Sequence, residues 1–232
     1  MEHFLFVVLL LDVLVILSGE RSSIFYLFFS TFLIAILISK WKIYRLTAFV
    51  ISILISILII ISNDKLKERV INKTLIQTNI LGEKINIFSI QHQVIYKSSL
   101  KIFKDYPIFG IGPKNFREIC QNDKYYSYTS KDGSVNGCQA HSHNTYLQLL
   151  TEAGIFGFIF VFTFFVYLII KFIKQFYYVY FKKKVYLSDY KLCFYVSIFI
   201  TLWPFVPTGS FFNNWLNVIY FLPIGFIIND YK

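Results

Sequence analysis

Residues 138 to 157 read CQAHSHNTYLQLLTEAGIFG, which sets His141, His143, Asn144 and Glu152 at the threshold of a greasy segment. A neutral imidazole at such a boundary can take a proton from a hydroxyl near neutral pH, which is the work of a general base. In extended backbone His141 and His143 share a face, as two metal ligands would. Catalytic zinc wants three protein ligands and no third is evident, so no metal is assigned and no cofactor is called for. Asn144 is a favoured N-cap for the helical pattern that begins at Thr145. Beside the chemical reading stands a plain one, in which both histidines are ordinary polar residues at a membrane interface. Glu152 lies about two turns on, roughly 12 Å along the helix. A carboxylate at that depth is costly unless paired or wet, so it either orients an arginine or a histidine or lines a cavity passively.

The elements that must position these groups are apolar. The 232 residues are 56% hydrophobic and 20% aromatic, with uncharged runs at 22–39, 46–62, 153–170 and 192–229. A bilayer core takes about 20 apolar residues per helical crossing. Phe4 to Leu17 is a further short run that holds Asp12; no basic segment precedes it and no small-residue cleavage site follows, so it reads as a helix and not as a removable signal. The run 192–229 suffices for two crossings turned by Pro204, Pro207 and the polar NNWLN. The expectation is an all-α polytopic membrane protein of about six transmembrane helices: three in 1–62, a large outer loop over 63–145, and three in 146–232.

The net charge of +10 is informative through its distribution. Lysines crowd 171–191, and Lys40, Lys42 and Arg45 fill another short connection. Basic short loops mark the cytoplasmic side, whereas long loops cross with little regard to charge. Parity then puts 63–145 outside, together with the bend SGERSS at 18–23. Anionic lipid or a phosphorylated substrate accounts for the charge better than nucleic acid does.

The long connection shows no repeat and no sign of a core of its own. Apolar residues from 87 to 103 recur at roughly helical spacing beside Lys97, Lys101 and Lys104, as in an amphipathic helix at the interface. DYPIFGIGPKNF (105–116) then breaks the pattern. With two glycines of a GxGxxG and no strand before it, this is no dinucleotide site; it reads as an elbow that aims the following segment. Cys120 and Cys138 share the outer loop while Cys193 sits in an apolar helix, so a disulfide is expected between the first two. Closing so short a loop would contribute about 3 kcal/mol.

PIFGIGPKNF followed by HSHNTYLQLLTEAGIFG resembles the outer-loop signature of the O-antigen ligase and polymerase family of bacterial membrane glycosyltransferases. LSGERSS at 17–23 and LKERV at 66–70 are similar to that family's arginine segments. The family's ligase pattern, His then Asn, Ser or Gln, nine residues and GxxG, is matched by His143, Asn144, Gly154 and Gly157. Counting from His141 ends on Glu152 instead, so His143 is favoured. The resemblance covers essentially the whole chain. Family members usually have ten or more helices, and this chain resembles a C-terminal half; a truncated gene, a split protein whose partner supplies the missing helices, and a non-catalytic remnant all stay open. His92 stands where many members place an arginine before VIY.

The resemblance implies transfer of a glycan from an undecaprenyl-diphosphate carrier to an acceptor hydroxyl in cell-surface polysaccharide biosynthesis, at the periplasmic face of the inner membrane. The acceptor would be lipid A-core for a ligase or a growing glycan for a polymerase. His143 would be the base, with His141 beside it. Arg21 and Arg69 are the candidates for the diphosphate, because a guanidinium binds phosphate oxygens in a fixed fork and stays charged; each also sits at a helix end, where arginine can snorkel to headgroups. His92, Asn144 and Glu152 complete the expected substrate contacts. The reading from another class is a non-enzymatic scaffold in an envelope-polysaccharide complex. Transport is disfavoured, since charge near the midplane is confined to the first and fourth helices.

Overall fold

The computed structural model describes residues 2–80, 82, 85–128 and 136–229, the side chains of 2–8 and of residue 229 excepted. The chain ends and residues 129–135 of the expected outer loop lie outside the described residues. Among those described the protein is helical, with one isolated bridge between Tyr128 and Asn136 and no strand. The chain divides into two compact units, residues 1–85 with 171–200 and residues 86–170 with 201–232.

The first unit begins with α1 (Glu2–Leu17), α2 (Arg21–Leu37) and α3 (Lys42–Ser62), three runs of Leu, Ile, Val and Phe. The turn between α1 and α2 needs Gly19, whose φ is +65°. α1 packs on α3, where the hydroxyl of Ser52 donates to the buried carboxylate of Asp12 at 2.5 Å. A buried acid between apolar helices needs such a partner. Asn63 then caps α4 (Asp64–Lys67), accepting from the backbone N–H of Lys65 and Leu66, and a π-helical turn at Glu68–Asn72 leads into α5 (Lys73–Thr78). The distal part of α9 (Gly154–Tyr177) and α10 (Asp189–Thr201) complete the unit. There Gln175, 1% exposed, donates to the Leu37 carbonyl at 2.9 Å and accepts from the Leu187 N–H at 2.8 Å.

The second unit holds α6 (Ile90–Asp105), α7 (Phe116–Ile119), α8 (Thr145–Glu152), the first turns of α9, and α11 (Asn214–Asn229). It corrects the expectation that the long connection lacks a core. Ile95, Tyr96, Ile102, Phe116, Cys120 and Tyr125 bury one another, with Phe88, Ile111, Ile119, Cys138 and Leu147 packed against them. These residues are spread over α6, α7, α8 and three loops, so no local period could announce them. α6 occupies the stretch expected to be amphipathic, and its buried face (Val94, Ile95, Ser98, Ser99, Ile102) packs on α8.

Two helices among the described residues are long and apolar enough to cross a bilayer, Lys42–Ser62 with 21 residues and Gly154–Lys182 with 29. Only 11% and 22% of their apolar windows are buried, unlike the core helix of a soluble protein. Arg21–Leu37 and Asn214–Ile228 are shorter apolar helices.

Candidate functional site

The segment leading into α8 carries three consecutive side chains with separate tasks. Ser142, fully buried, meets the Ser99 hydroxyl of α6 at 2.9 Å. The residues on either side turn the other way, so that the rings of His141 and His143 lie 4.1 Å apart, centroid to centroid. His92, in the first turn of α6, brings a third imidazole to 5.8 Å from that of His143. Ser89, the cap of α6, holds the His92 ring through Nδ1 at 2.7 Å. The structure thus gathers His92, His141 and His143, although His92 lies far from the other two in sequence.

His143 adopts a left-handed backbone, φ +50°, which turns the chain into α8. Its carbonyl accepts from the Thr208 N–H at 3.0 Å, and the Thr208 carbonyl accepts from Nε2 of His141 at 3.3 Å. That acceptor calls for the Nε2–H tautomer of His141. Burial lowers the pKa of His141. His143 is pushed down to about 4, by burial first and then by the charges that His141 and His92 would carry. The cluster is therefore neutral at His143 near pH 7, which is the form that can accept a proton. Among the described residues no group of three or more His, Cys, Asp or Glu side chains is arranged to hold a metal ion.

Asn144 caps α8, its side-chain oxygen accepting from the N–H of Tyr146 and Leu147, each at 3.1 Å. Its amide nitrogen donates to the Pro204 carbonyl at 2.8 Å. Further along α8 come contacts that sequence reasoning missed. Thr145 meets Thr208 at 3.1 Å, Tyr146 Oη donates to the Leu202 carbonyl at 2.7 Å, and Gln148 donates to Ser210 at 3.0 Å while accepting from the Phe211 N–H at 2.8 Å. Thr145, Gln148 and Glu152 recur at i, i+3 and i+7, a polar stripe along one side of α8. That stripe was the available signal. It meets residues 208–211, and Thr208 in turn bonds to both histidines.

Glu152 is fully buried at the last position of α8. One of its carboxylate oxygens accepts from the Lys114 N–H at 2.8 Å and from Gln148 at 3.3 Å; the other has no partner. Burial raises its pKa, against the lowering effect of those two donors. Its hydrogen-bond partners are thus a backbone N–H and an amide, not an arginine or a histidine. The helix expected to run on from Thr145 stops here, because Gly154, φ +68°, breaks it and starts α9 in a new direction. The 107–114 elbow fills the break: Ile111 and Gly112 donate to the carbonyls of Thr151 and Glu152, and Ile155 donates to that of Pro107, at 2.8 to 3.0 Å. A Cβ on Gly110 would lie 2.5 Å from the Glu152 carbonyl carbon, and one on Gly154 would strike the Ile108 carbonyl. PIFGIGPK and TEAG are two halves of one lock.

Arg21 and Arg69 belong to the first unit. Arg69 pairs with Glu20, both side chains more than half exposed, and not with Glu68, which accepts from Asn72 at 2.6 Å. Arg21 opens α2 and donates to Thr74 Oγ1 of α5 at 3.2 Å. The two guanidiniums thus share one corner, built by the SGE turn, the π-helical turn and α5. Cys120 and Cys138 are joined in the second unit, their Cα atoms 5.5 Å apart, within the span of a disulfide.

A family model described as O-antigen ligase matches residues 5–162. The match takes in both arginines, all three histidines of the cluster, and the whole lock between the 107–114 elbow and α8. No curated protein and no solved structure matches the chain.

Proposed function

The chain belongs to the O-antigen ligase family, and from that membership we propose that it moves a glycan from an undecaprenyl-diphosphate carrier to an acceptor hydroxyl in cell-surface polysaccharide synthesis. His143 takes the acceptor proton as the new glycosidic bond forms, and the carrier leaves as its diphosphate. One observation carries this: a His143 ring kept neutral by burial, beside two more imidazoles, on a backbone fixed from three sides. An approaching diphosphate adds negative charge, which stabilises the imidazolium and strengthens the base at the moment it is needed. The His141 ring packs against that of His143, Asn144 caps the helix that follows, and His92 completes the cluster. Glu152 secures the elbow through the Lys114 N–H and, through Gln148, the segment at Ser210 and Phe211. We assign the site to the periplasmic face of the inner membrane, with about six crossings, the connection 63–145 outside, and a partner chain able to supply further helices.

Reconstitution tests the function: vesicles carrying the chain, a lipid-diphosphate glycan and an acceptor glycan should yield acceptor of increased mass and free carrier diphosphate. Absence of product with every component of a native membrane present would remove the reading.

Arg21 and Arg69 are proposed to hold the diphosphate. Arg21→Lys keeps the charge and loses the fork. It should weaken apparent donor affinity about tenfold, the worth of one charge-assisted hydrogen bond at ~1.5 kcal/mol. Unchanged donor KM in Arg21→Lys would take Arg21 out of the donor site.

We also propose that Cys120–Cys138 is oxidised in the mature protein. Peptide mapping without reductant should find the two linked and Cys193 alkylated. Recovery of both as free, alkylated thiols would sink the assignment.

A further inference from the structure

The elbow that locks α8 to α9 presents an apolar tip that stays largely exposed among the described residues. Tyr106, Ile108 and Phe109 are 44%, 53% and 77% exposed, although the backbone on both sides of them is fixed. The tip is held against the start of α9: Ile155 donates to Pro107, and the Phe109 ring stacks on Phe156 with centroids 5.9 Å apart. Phe156 and Phe160, 61% and 79% exposed, open the apolar face of the 29-residue helix Gly154–Lys182. The exposed face of the tip is therefore continuous with the face of a helix long enough to span a bilayer. The helix that leads into the tip, α6, carries Lys97, Lys101 and Lys104 exposed at i, i+4 and i+7, the Lys101 ammonium donating to the Tyr126 carbonyl at 2.8 Å. Apolar side chains at a tip joined to a lysine-bearing helix match the layering of acyl chains under anionic headgroups.

We propose that residues 106–109 form a membrane anchor, with Ile108 and Phe109 inserted among the acyl chains of the leaflet in which α9 begins and the α6 lysines at its headgroups. The occupant of this surface is lipid and not another protein, because the patch continues the exposed apolar side of α9 and follows directly on a helix that carries exposed lysines. The anchor rests on α9 being a crossing and is independent of the chemistry assigned to His143. Its consequence for the site follows from the lock. The elbow is bonded to the end of α8, so the leaflet surface sets the height at which α8 presents the histidine cluster.

Spin labels read this directly. A nitroxide is attached to Phe109→Cys in a Cys193→Ser background, and the full chain is reconstituted in vesicles of phosphatidylethanolamine and phosphatidylglycerol. Collision rates are measured with oxygen, which concentrates in acyl chains, and with a water-soluble nickel chelate. Phe160→Cys serves as the lipid reference and Tyr128→Cys, at a position 65% exposed in the second unit, as the aqueous one. The anchor requires the oxygen-to-nickel ratio at position 109 to match that at 160 and to exceed that at 128. A ratio matching position 128 overturns it. Low access to both reagents also overturns it, in favour of a protein cover such as a second copy of the chain. If Phe109→Cys fails to insert, Ile108→Cys is read in the same way.

Discussion

Replacing His143 with alanine lowers the rate of glycan transfer by about 10²–10⁴-fold, the usual worth of a positioned acid or base, equivalent to roughly 3–5 kcal/mol of barrier. Donor binding survives, because the residues proposed for the diphosphate belong to the other unit. Alanine carries a second effect that must be separated from the first. His143 sits at φ +50°, a backbone that histidine adopts more readily than alanine, so alanine also loses some stability. Asparagine tolerates that conformation and cannot act as a base. His143→Asn should therefore be as inactive as His143→Ala while unfolding close to the wild-type temperature. Full turnover in His143→Asn would take the imidazole out of the chemistry and leave the residue as a turn before α8.

The pH profile is a separate readout of the same residue. With its imidazole held down to about 4 in the free protein, His143 stays a competent base well below the range of an ordinary histidine. On the acid side kcat/KM, which reports free enzyme, should stay flat through pH 6 and fall only as the pH approaches that value. The kcat limb should lie higher, since a bound diphosphate favours the imidazolium. His141→Gln removes one of the charges that depress His143 and should move the kcat/KM limb upward. An acid limb already at pH 6.5 in the wild type would mean that His143 is solvated in the working enzyme.

What the sequence showed of this site was local. Asn144 was legible as a cap because capping is decided within three residues, and the apolar runs were legible because length and composition alone suit them to a bilayer. The pairing of His141 with His143 followed from their alternation about Ser142. The core under α6 was not legible, since it joins residues from three helices and the loops beside them with no common period. Nor were the partners of Glu152. Sequence reasoning sought a charged group for a buried acid, and the fold supplies a backbone N–H from an elbow nearly forty residues earlier. Glu68 is the acid next to Arg69 in the chain, yet a turn distant in sequence brings Glu20 to it. Gly154 illustrates the same limit: in the sequence it is the first glycine of the GxxG pattern, and only its closeness to the Ile108 carbonyl shows that a helix must end there.

Gly154→Ala is accordingly the substitution with the largest expected effect on the fold. Two costs add at this position. A residue with a side chain pays about 1–2 kcal/mol to hold φ +68°, and its Cβ would occupy the space of the Ile108 carbonyl. Relieving that clash means moving the elbow away from the end of α8, which weakens the hydrogen bonds from Ile111, Gly112 and Lys114 that hold the turn. Overpacking of this kind costs a further 1–3 kcal/mol, so the total is about 3 kcal/mol. Read as an apparent unfolding midpoint in detergent, that is a fall on the order of 10 °C. Gly225→Ala supplies the internal control, because Gly225 lies within α11 and a Cβ there meets nothing within 4 Å. An alanine in a helix interior with open space is neutral or stabilising by up to about 1 kcal/mol. The two glycines are thus expected to respond with opposite signs to the same chemical change. Equal responses would show that Gly154 is not held against the elbow, and that the direction of α9 is set by something other than this lock.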